Sequence, residues 1–255
     1  MIPIRYWIRI GACFAVTFGG AALFNPLLLI FFPLRHRLGP VLIRWLSRMF
    51  LIAAGIRLQS GPKWRLNDYR HPVLILANHV SLLDIPILSA ACGTGFVSKQ
   101  EVRTWPFVGP FAWLAGTLFL DRDKMARRIS LLKHLATHLP IGSLTAVFPQ
   151  GTTSPTSQNL PFLKGIFKVV EMNPKIRIRP VTLHYMDEST VAWQNRSFFG
   201  QALRALASPS IDVRVTVHPS IGIQDYEGKG VRGVAEKVER TVKTPLLESS
   251  TGKDG

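Results

Sequence analysis

The N-terminal part of the chain carries two apolar segments of different pattern. From Tyr6 to Phe32 the apolar residues are almost continuous, and roughly 20 such residues are enough to cross a bilayer. From Leu38 to Ile56 apolar residues recur at helical spacing, with Arg44 and Arg48 on one face. The first pattern predicts a membrane helix and the second an amphipathic helix at an interface. The alternative is that both are core helices of a soluble domain.

The first segment is not typical of a signal peptide. It runs directly into the basic residues Arg35 and Arg37, with no small-residue cleavage site before them. Basic residues are denser after this segment than before it, which predicts that the body of the chain faces the cytoplasm. We therefore expect anchoring helices over 1–57, a globular domain over 58–248 and a flexible tail over 249–255.

From Pro72 onward, apolar β-branched runs alternate with helical patterns. The predicted strands are Val73–Ala77, Gly95–Lys99, Thr117–Asp121, Leu144–Phe148, Ile176–Leu183 and Val213–Val217. The predicted helices include Lys124–Leu139 and Val231–Leu247. This alternation indicates an α/β fold, with a mixed, mostly parallel sheet flanked by helices. The apolar stretch Trp105–Leu120 contains prolines that argue against a spanning helix. Buried core and an acyl pocket or membrane contact are its two interpretations.

Composition narrows the choice of partners. The 255 residues are 47% hydrophobic with a formal net charge of +16, which implies an anionic partner. The basic residues are spread along the chain and form no nucleic-acid motif, so an acidic membrane surface is favoured over nucleic acid. Cys13 and Cys92 are too isolated to indicate a disulfide framework or a metal cluster. No metal and no cofactor are expected.

The most informative polar residues follow the strand predicted at Val73–Ala77. His79 comes almost directly after it, and Asp84 lies five residues further on. An imidazole can accept a proton and a carboxylate can fix its tautomer, which is the base-and-orienter half of a triad. Ser81 lacks the glycine-flanked turn of a hydrolase nucleophile, so we expect the nucleophile to arrive with the substrate. The structural alternative is that Asp84 only caps the following helix.

Three further polar elements are placed at the ends of predicted strands. They are Gly116-Thr117-Leu118-Phe119-Leu120-Asp121-Arg122, Phe148-Pro149-Gln150-Gly151-Thr152-Thr153-Ser154, and Arg179-Pro180-Val181. The structural alternatives are a surface salt bridge for Arg122 and a simple turn at Pro149 and Gly151.

In order and spacing, the four elements resemble the glycerolipid acyltransferase family, whose bacterial archetype is the lysophosphatidic acid acyltransferase. The resemblance covers roughly Leu74 to Val181, and Lys99 with Pro106 and Gly109 is similar to a further segment of the family. It implies a membrane-bound acyltransferase domain over 58–248. The acyl donor would be acyl-carrier protein or acyl-coenzyme A, and the acceptor the free hydroxyl of a lysolipid. It also implies the bacterial inner membrane, with the catalytic domain on the cytoplasmic side.

The resemblance assigns roles to individual residues. His79 would be the general base and Asp84 its orienter. Substrate binding would fall to Lys99, Arg122, Gln150, Gly151, Thr152 and Thr153. The implied acceptor is 1-acyl-glycerol-3-phosphate, giving phosphatidic acid.

One motif departs from the family. Gln150 and Thr153 stand where the family's typical third motif has Glu and Arg. This variant is similar to the branch that acylates lyso-ornithine lipids, which is the alternative acceptor. Alternatives of another class are a membrane lipid esterase or thioesterase, and a non-catalytic protein that binds acidic lipids.

Overall fold

The computed structural model describes residues 4–60, 70–105, 108–114, 116–120, 125–139, 144–192, 198–225, 228 and 230–251. Its α-helices are α1 (Ile4–Phe14), α2 (Gly20–Ile30), α3 (Arg35–Ala54), α4 (Asp84–Cys92), α5 (Val108–Leu114), α6 (Met125–His138), α7 (Lys168–Met172), α8 (Phe198–Ala207) and α9 (Gly230–Thr251). Its strands are β1 (Ile56–Ser60), β2 (Val73–Ala77), β3 (Gly95–Lys99), β4 (Leu118–Leu120), β5 (Leu144–Val147), β6 (Arg177–Tyr185) and β7 (Ile211–Val217).

The described strands form one seven-stranded sheet in the order β1-β7-β6-β2-β5-β3-β4. Neighbouring strands are parallel except for β6 and β7, which are antiparallel. The predicted mixed, mostly parallel sheet is confirmed. Strand β1 was not predicted, because the helical pattern before it was continued to Ile56. Helix α3 ends two residues earlier, at Ala54, and Gly55, with a φ of 71°, turns the chain into this edge strand.

Helices cover both faces of the sheet. Val73, Ile75 and Ala77 of β2 belong to a core cluster shared with α3, α4 and α8. Leu74 and Leu76 belong to a second cluster, shared with α6, α7 and α9. Because successive side chains of a strand point to opposite faces, a strand covered on both sides is apolar at every position. This explains the unbroken apolar run that precedes His79.

The segment Ile4–Ile30 is one helical stretch, joined by a π-turn, whose length and composition would allow it to cross a membrane. It also packs on the body of the protein. Cys13 is buried in the first core cluster, and the Arg9 guanidinium donates to the backbone oxygens of Ser208 and Pro209 at 2.5 and 2.6 Å. At its other end α2 packs against α5. Both ends of the segment therefore contact the globular domain.

Helix α3 was predicted as an amphipathic helix at an interface, with arginines on its polar face. In the structure it packs along α4, and the Arg44 side chain donates to the Ala90 oxygen at 3.3 Å. That oxygen belongs to the last turn of α4, where backbone carbonyls lack helical partners. At least part of the basic face thus binds the protein itself.

Asn78 continues the contact between β2 and β6 beyond the last backbone pair of those strands. Its Nδ2 donates to the Leu183 oxygen at 2.9 Å, and its Oδ1 accepts from the Leu183 N–H at 2.8 Å. The amide side chain takes the place of a strand residue here. It satisfies the backbone N–H and C=O of Leu183 while the main chain turns away from the sheet. His79 therefore lies at the carboxyl edge of the sheet, beyond the backbone hydrogen bonds between the strands.

Replacing Asn78 by Ala should lower the free energy of unfolding by about 2–4 kcal/mol, because it leaves the buried N–H and C=O of Leu183 without partners. Urea unfolding followed by tryptophan fluorescence measures the loss. Asn173→Ala is the matched control, since Asn173 also makes two backbone hydrogen bonds but is half exposed. Water can replace them there, so the control should lose less. Equal losses would contradict this account.

Candidate active site

The motif at His79 and the motif at Gln150 meet because the strands that precede them are parallel neighbours. Strand β2 pairs with β5 in parallel register, Val73 opposite Leu144. Parallel strands end at the same edge of a sheet, where the sites of α/β proteins are formed. His79 follows β2 and Gln150 follows β5, so both motifs lie at this carboxyl edge.

Asp84 holds the imidazole of His79 through a short local turn. Its Oδ2 lies 2.7 Å from His79 Nδ1 and accepts the N–H groups of Val80 and Ser81 at 2.7 and 3.0 Å. The Asp84 side chain is fully buried, whereas that of His79 is 14% exposed. Asp84 does begin α4, but its carboxylate reaches back to the imidazole and does more than cap the helix.

This contact determines which nitrogen of His79 is available for chemistry. An ionised carboxylate can only accept, so Nδ1 carries the proton in this hydrogen bond. The other nitrogen, Nε2, then has a free lone pair in the neutral ring, and no described residue hydrogen-bonds to it. The geometry is that of a base ready to accept a proton from a bound molecule.

Aromatic stacking fixes the plane of the imidazole. The rings of His79 and Phe148 lie parallel, with centroids 3.9 Å apart and an interplanar angle of 9°. Phe96 lies behind Phe148, with ring centroids 6.1 Å apart. His79 is thus held by a carboxylate at one nitrogen and by a ring face, which leaves it little freedom to rotate.

The turn after β5 holds the backbone of His79. Gln150 Oε1 accepts the His79 N–H at 2.6 Å, and the Ser154 N–H donates to the His79 oxygen at 2.9 Å. Gln150 was predicted to bind substrate, and the structure gives its side-chain oxygen a different partner. A glutamate at this position could accept the same hydrogen bond, so the motif's departure from the family keeps this contact.

Gly151, Thr152 and Thr153 form the part of this turn that solvent reaches. Gly151 and Thr152 are exposed and Thr153 is half exposed. Gly151 has a φ of 75°, a conformation that glycine adopts without strain. Their predicted role in binding an acceptor stays a prediction. Ser154, by contrast, is buried.

Two basic side chains that were predicted to bind substrate lie outside the part of the chain that the structure describes. Arg122 is one of them, and the side chain of Lys99, whose backbone ends β3, is the other. Tyr185 was not among the predicted site residues, although its hydroxyl donates to Asp84 Oδ1 at 2.6 Å. The only sign that Tyr185 belongs to the site is indirect. It ends β6, the strand that neighbours β2.

The size of a cavity does not locate the site. A cavity of about 400 Å³ lies at the amino ends of β3 and β5, next to α6, and His79 is not among the described residues that line it. That is the opposite edge of the sheet from the imidazole. The candidate site is therefore chosen on its hydrogen-bond geometry and not on the volume of a cavity.

Comparisons with known proteins indicate one family. Residues 58–184 match a family model described as Acyltransferase. The chain is 31% identical over 190 residues to a lyso-ornithine lipid O-acyltransferase of Brucella abortus, covering 64% of this chain and 69% of that protein. It is 32% identical over 144 residues to a 1-acyl-sn-glycerol-3-phosphate acyltransferase of Neisseria meningitidis, covering 56% of this chain and 55% of that protein.

A solved structure matches the whole fold. The 1-acyl-sn-glycerophosphate acyltransferase of Thermotoga maritima is similar with a TM-score of 0.72 and 18% sequence identity, covering 97% of this chain and 95% of that one. At this identity the likeness concerns the fold alone. The family match and the 31% identity to the Brucella abortus enzyme, of which this chain covers 69%, show that the chain belongs to the acyltransferase family and is an acyltransferase.

Proposed function

We propose that the protein is a membrane-bound O-acyltransferase that moves a fatty acyl group to the free hydroxyl of a lysolipid. The donor is a thioester, acyl-carrier protein or acyl-coenzyme A. The observation that carries the proposal is the fully buried Asp84 carboxylate on Nδ1 of a partly exposed His79. That pair supplies a general base without a nucleophile of its own.

The reaction follows from this pair. His79 Nε2 accepts the proton of the lysolipid hydroxyl as its oxygen attacks the thioester carbonyl carbon, and Asp84 stabilises the imidazolium that forms. The tetrahedral intermediate collapses, the carbon–sulfur bond breaks, and the imidazolium returns the proton to the leaving thiolate. An ester and a free thiol are the products, and His79 ends neutral.

Burial argues against Ser81 or a cysteine as the site of an acyl-enzyme. Ser81 is 2% exposed and its Oγ accepts the Leu83 N–H, so it does not face a substrate. Both cysteines, Cys13 and Cys92, are buried. Direct attack by the lipid hydroxyl is the simpler route, and it distinguishes this proposal from a serine esterase.

We favour a lyso-ornithine lipid as the acceptor over 1-acyl-glycerol-3-phosphate, which the sequence analysis placed first. The exposed turn at Gly151, Thr152 and Thr153 carries hydroxyls and no charge. A phosphate dianion is better matched by an arginine fork. An ornithine head group is a zwitterion, in which the amine balances the charge of the carboxylate. Relatives named for the lyso-ornithine lipid reaction support the choice.

The anchor in this proposal is the segment Ile4–Ile30 together with α3. Its outward side chains include Trp7 and Ile8, which are 59% and 64% exposed. Because both ends of the segment contact the globular domain, we infer that it is seated against one face of the bilayer. The net charge of +16 adds attraction to acidic lipids.

His79→Ala should lower acyl transfer from acyl-carrier protein or acyl-coenzyme A to a lysolipid panel by at least about 100-fold, since it removes the base. Mass spectrometry of the products measures transfer. His138→Ala, on the exposed surface of α6 where His138 stacks on His134, should match the wild type. Equal activity of wild type and His79→Ala would refute the mechanism. Release of free fatty acid without any lysolipid would favour the esterase.

The double variant Gln150→Glu with Thr153→Arg should shift the ratio of kcat/KM about tenfold toward 1-acyl-glycerol-3-phosphate, because the new arginine can bind the phosphate with two hydrogen bonds. The introduced glutamate keeps an acceptor for the His79 N–H. Ser157→Arg adds the same charge at an exposed position further along the turn and should leave the ratio unchanged. If the double variant keeps the wild-type acceptor profile, this turn does not read the head group.

Replacing Trp7 and Ile8 together by Asn should weaken binding to phosphatidylethanolamine–phosphatidylglycerol vesicles by at least about tenfold, since burying each such side chain contributes about 1.5–3 kcal/mol. Vesicle flotation of the full chain measures binding. Asn at Ile129 and Met172, exposed apolar residues of α6 and α7, is the matched control and should bind like wild type. Undiminished flotation of the first variant would exclude this face as the anchor.

A further inference from the structure

The carboxylate of Asp84 is held at both oxygens by different parts of the chain. Oδ2 receives the imidazole Nδ1 of His79 and two backbone N–H groups of the adjacent turn. Oδ1 receives the Tyr185 hydroxyl at 2.6 Å. Among the described residues, Tyr185 is the donor to Oδ1, so removing that hydroxyl would leave half of a buried carboxylate unsatisfied.

Tyr185 is a buried residue of the sheet and is not exposed to a substrate. It is the last residue of β6 and 2% exposed, and it comes from a segment 101 residues beyond Asp84. Because a carboxylate oxygen only accepts, the hydrogen of the phenol points to Asp84.

The hydroxyl of Tyr185 remains protonated throughout the working pH range. Burial, and next the charge of Asp84, raise the pKa of Tyr185 well above its usual value of 10. Glu188 acts in the same direction through its charge, while its carboxylate accepts hydrogen bonds from the Thr156 N–H and hydroxyl. Tyr185 is therefore a permanent donor and not a proton carrier.

We propose that Tyr185 is a positioning residue for acyl transfer, which orients Asp84 so that Oδ2 faces the imidazole of His79. This inference rests on the proposed function. The Tyr185 hydrogen bond fixes the rotation of the carboxylate, and it also withdraws part of the negative charge that the imidazole would otherwise meet. The first effect favours the correct placement of His79. The second limits the negative charge that Asp84 presents to the ring.

Both effects predict a particular outcome for Tyr185→Phe, which keeps the ring and removes only the hydroxyl. We expect kcat to fall about tenfold while KM for the lysolipid stays unchanged, since Tyr185 is remote from solvent. The acid limb of the pH–rate profile should move to higher pH. The sign follows from the charge: Asp84 without its Oδ1 donor stabilises the imidazolium more strongly, so the neutral base forms only at higher pH.

Thr182→Val is the matched control. Thr182 lies on the same strand and is buried, but its hydroxyl serves the opposite face, where it donates to the Val242 oxygen. The control loses a buried hydroxyl of β6 without touching the His79–Asp84 pair. It should lose stability and keep both the kcat and the acid limb of the wild type.

Proton NMR of histidine ring resonances provides a readout that does not need acyl transfer. The His79 resonance, assigned by its loss in His79→Gln, should titrate at higher pH in Tyr185→Phe than in wild type and Thr182→Val. If wild type transfers no acyl group but this shift appears, the proposed function fails and the positioning role stands. If Tyr185→Phe matches wild type in kcat and titration, or if Thr182→Val shifts equally, the inference is overturned.

Discussion

The buried charge of Asp84 is the constraint on which the rest of the site depends. An ionised carboxylate without access to water is tolerated only when it is paired and hydrogen-bonded. Here the donors come from the turn after β2, from the imidazole of His79 and from Tyr185 at the end of β6. The site therefore forms only when β2 and β6 are correctly paired, and catalytic geometry is coupled to completion of the sheet.

The same coupling extends to the third motif. His79 is held at its ring by Asp84 and Phe148 and at its backbone by Gln150 and Ser154. One residue thus receives contacts from segments that follow two neighbouring parallel strands. This arrangement leaves Nε2 without a hydrogen-bond partner among the described residues, and it leaves Gly151 and Thr152 exposed.

Much of the fold could be predicted from local pattern. The strands Val73–Ala77 and Gly95–Lys99 were predicted with the bounds that the structure has. The first is apolar at every position because the sheet is covered on both faces there. Strand β1 escaped prediction because it is a short edge strand of alternating polarity directly after a helix. The basic face of α3 was only partly understood, since the last turn of α4, which Arg44 binds, is not visible in the pattern of α3 itself.

The resemblance to the acyltransferase family could be recognised from the sequence because each of its four motifs is a short run of residues, and His79 and Asp84 lie within one of them. Contacts between distant segments could not be recognised in this way. Asn78 bonding to Leu183, Gln150 serving the His79 backbone and Tyr185 bonding to Asp84 span 71 to 105 residues. No periodicity records such contacts, because they depend on which strands become neighbours in the sheet. Chemistry encoded within one turn was readable from residue order, whereas the orientation of that chemistry was decided by strand pairing.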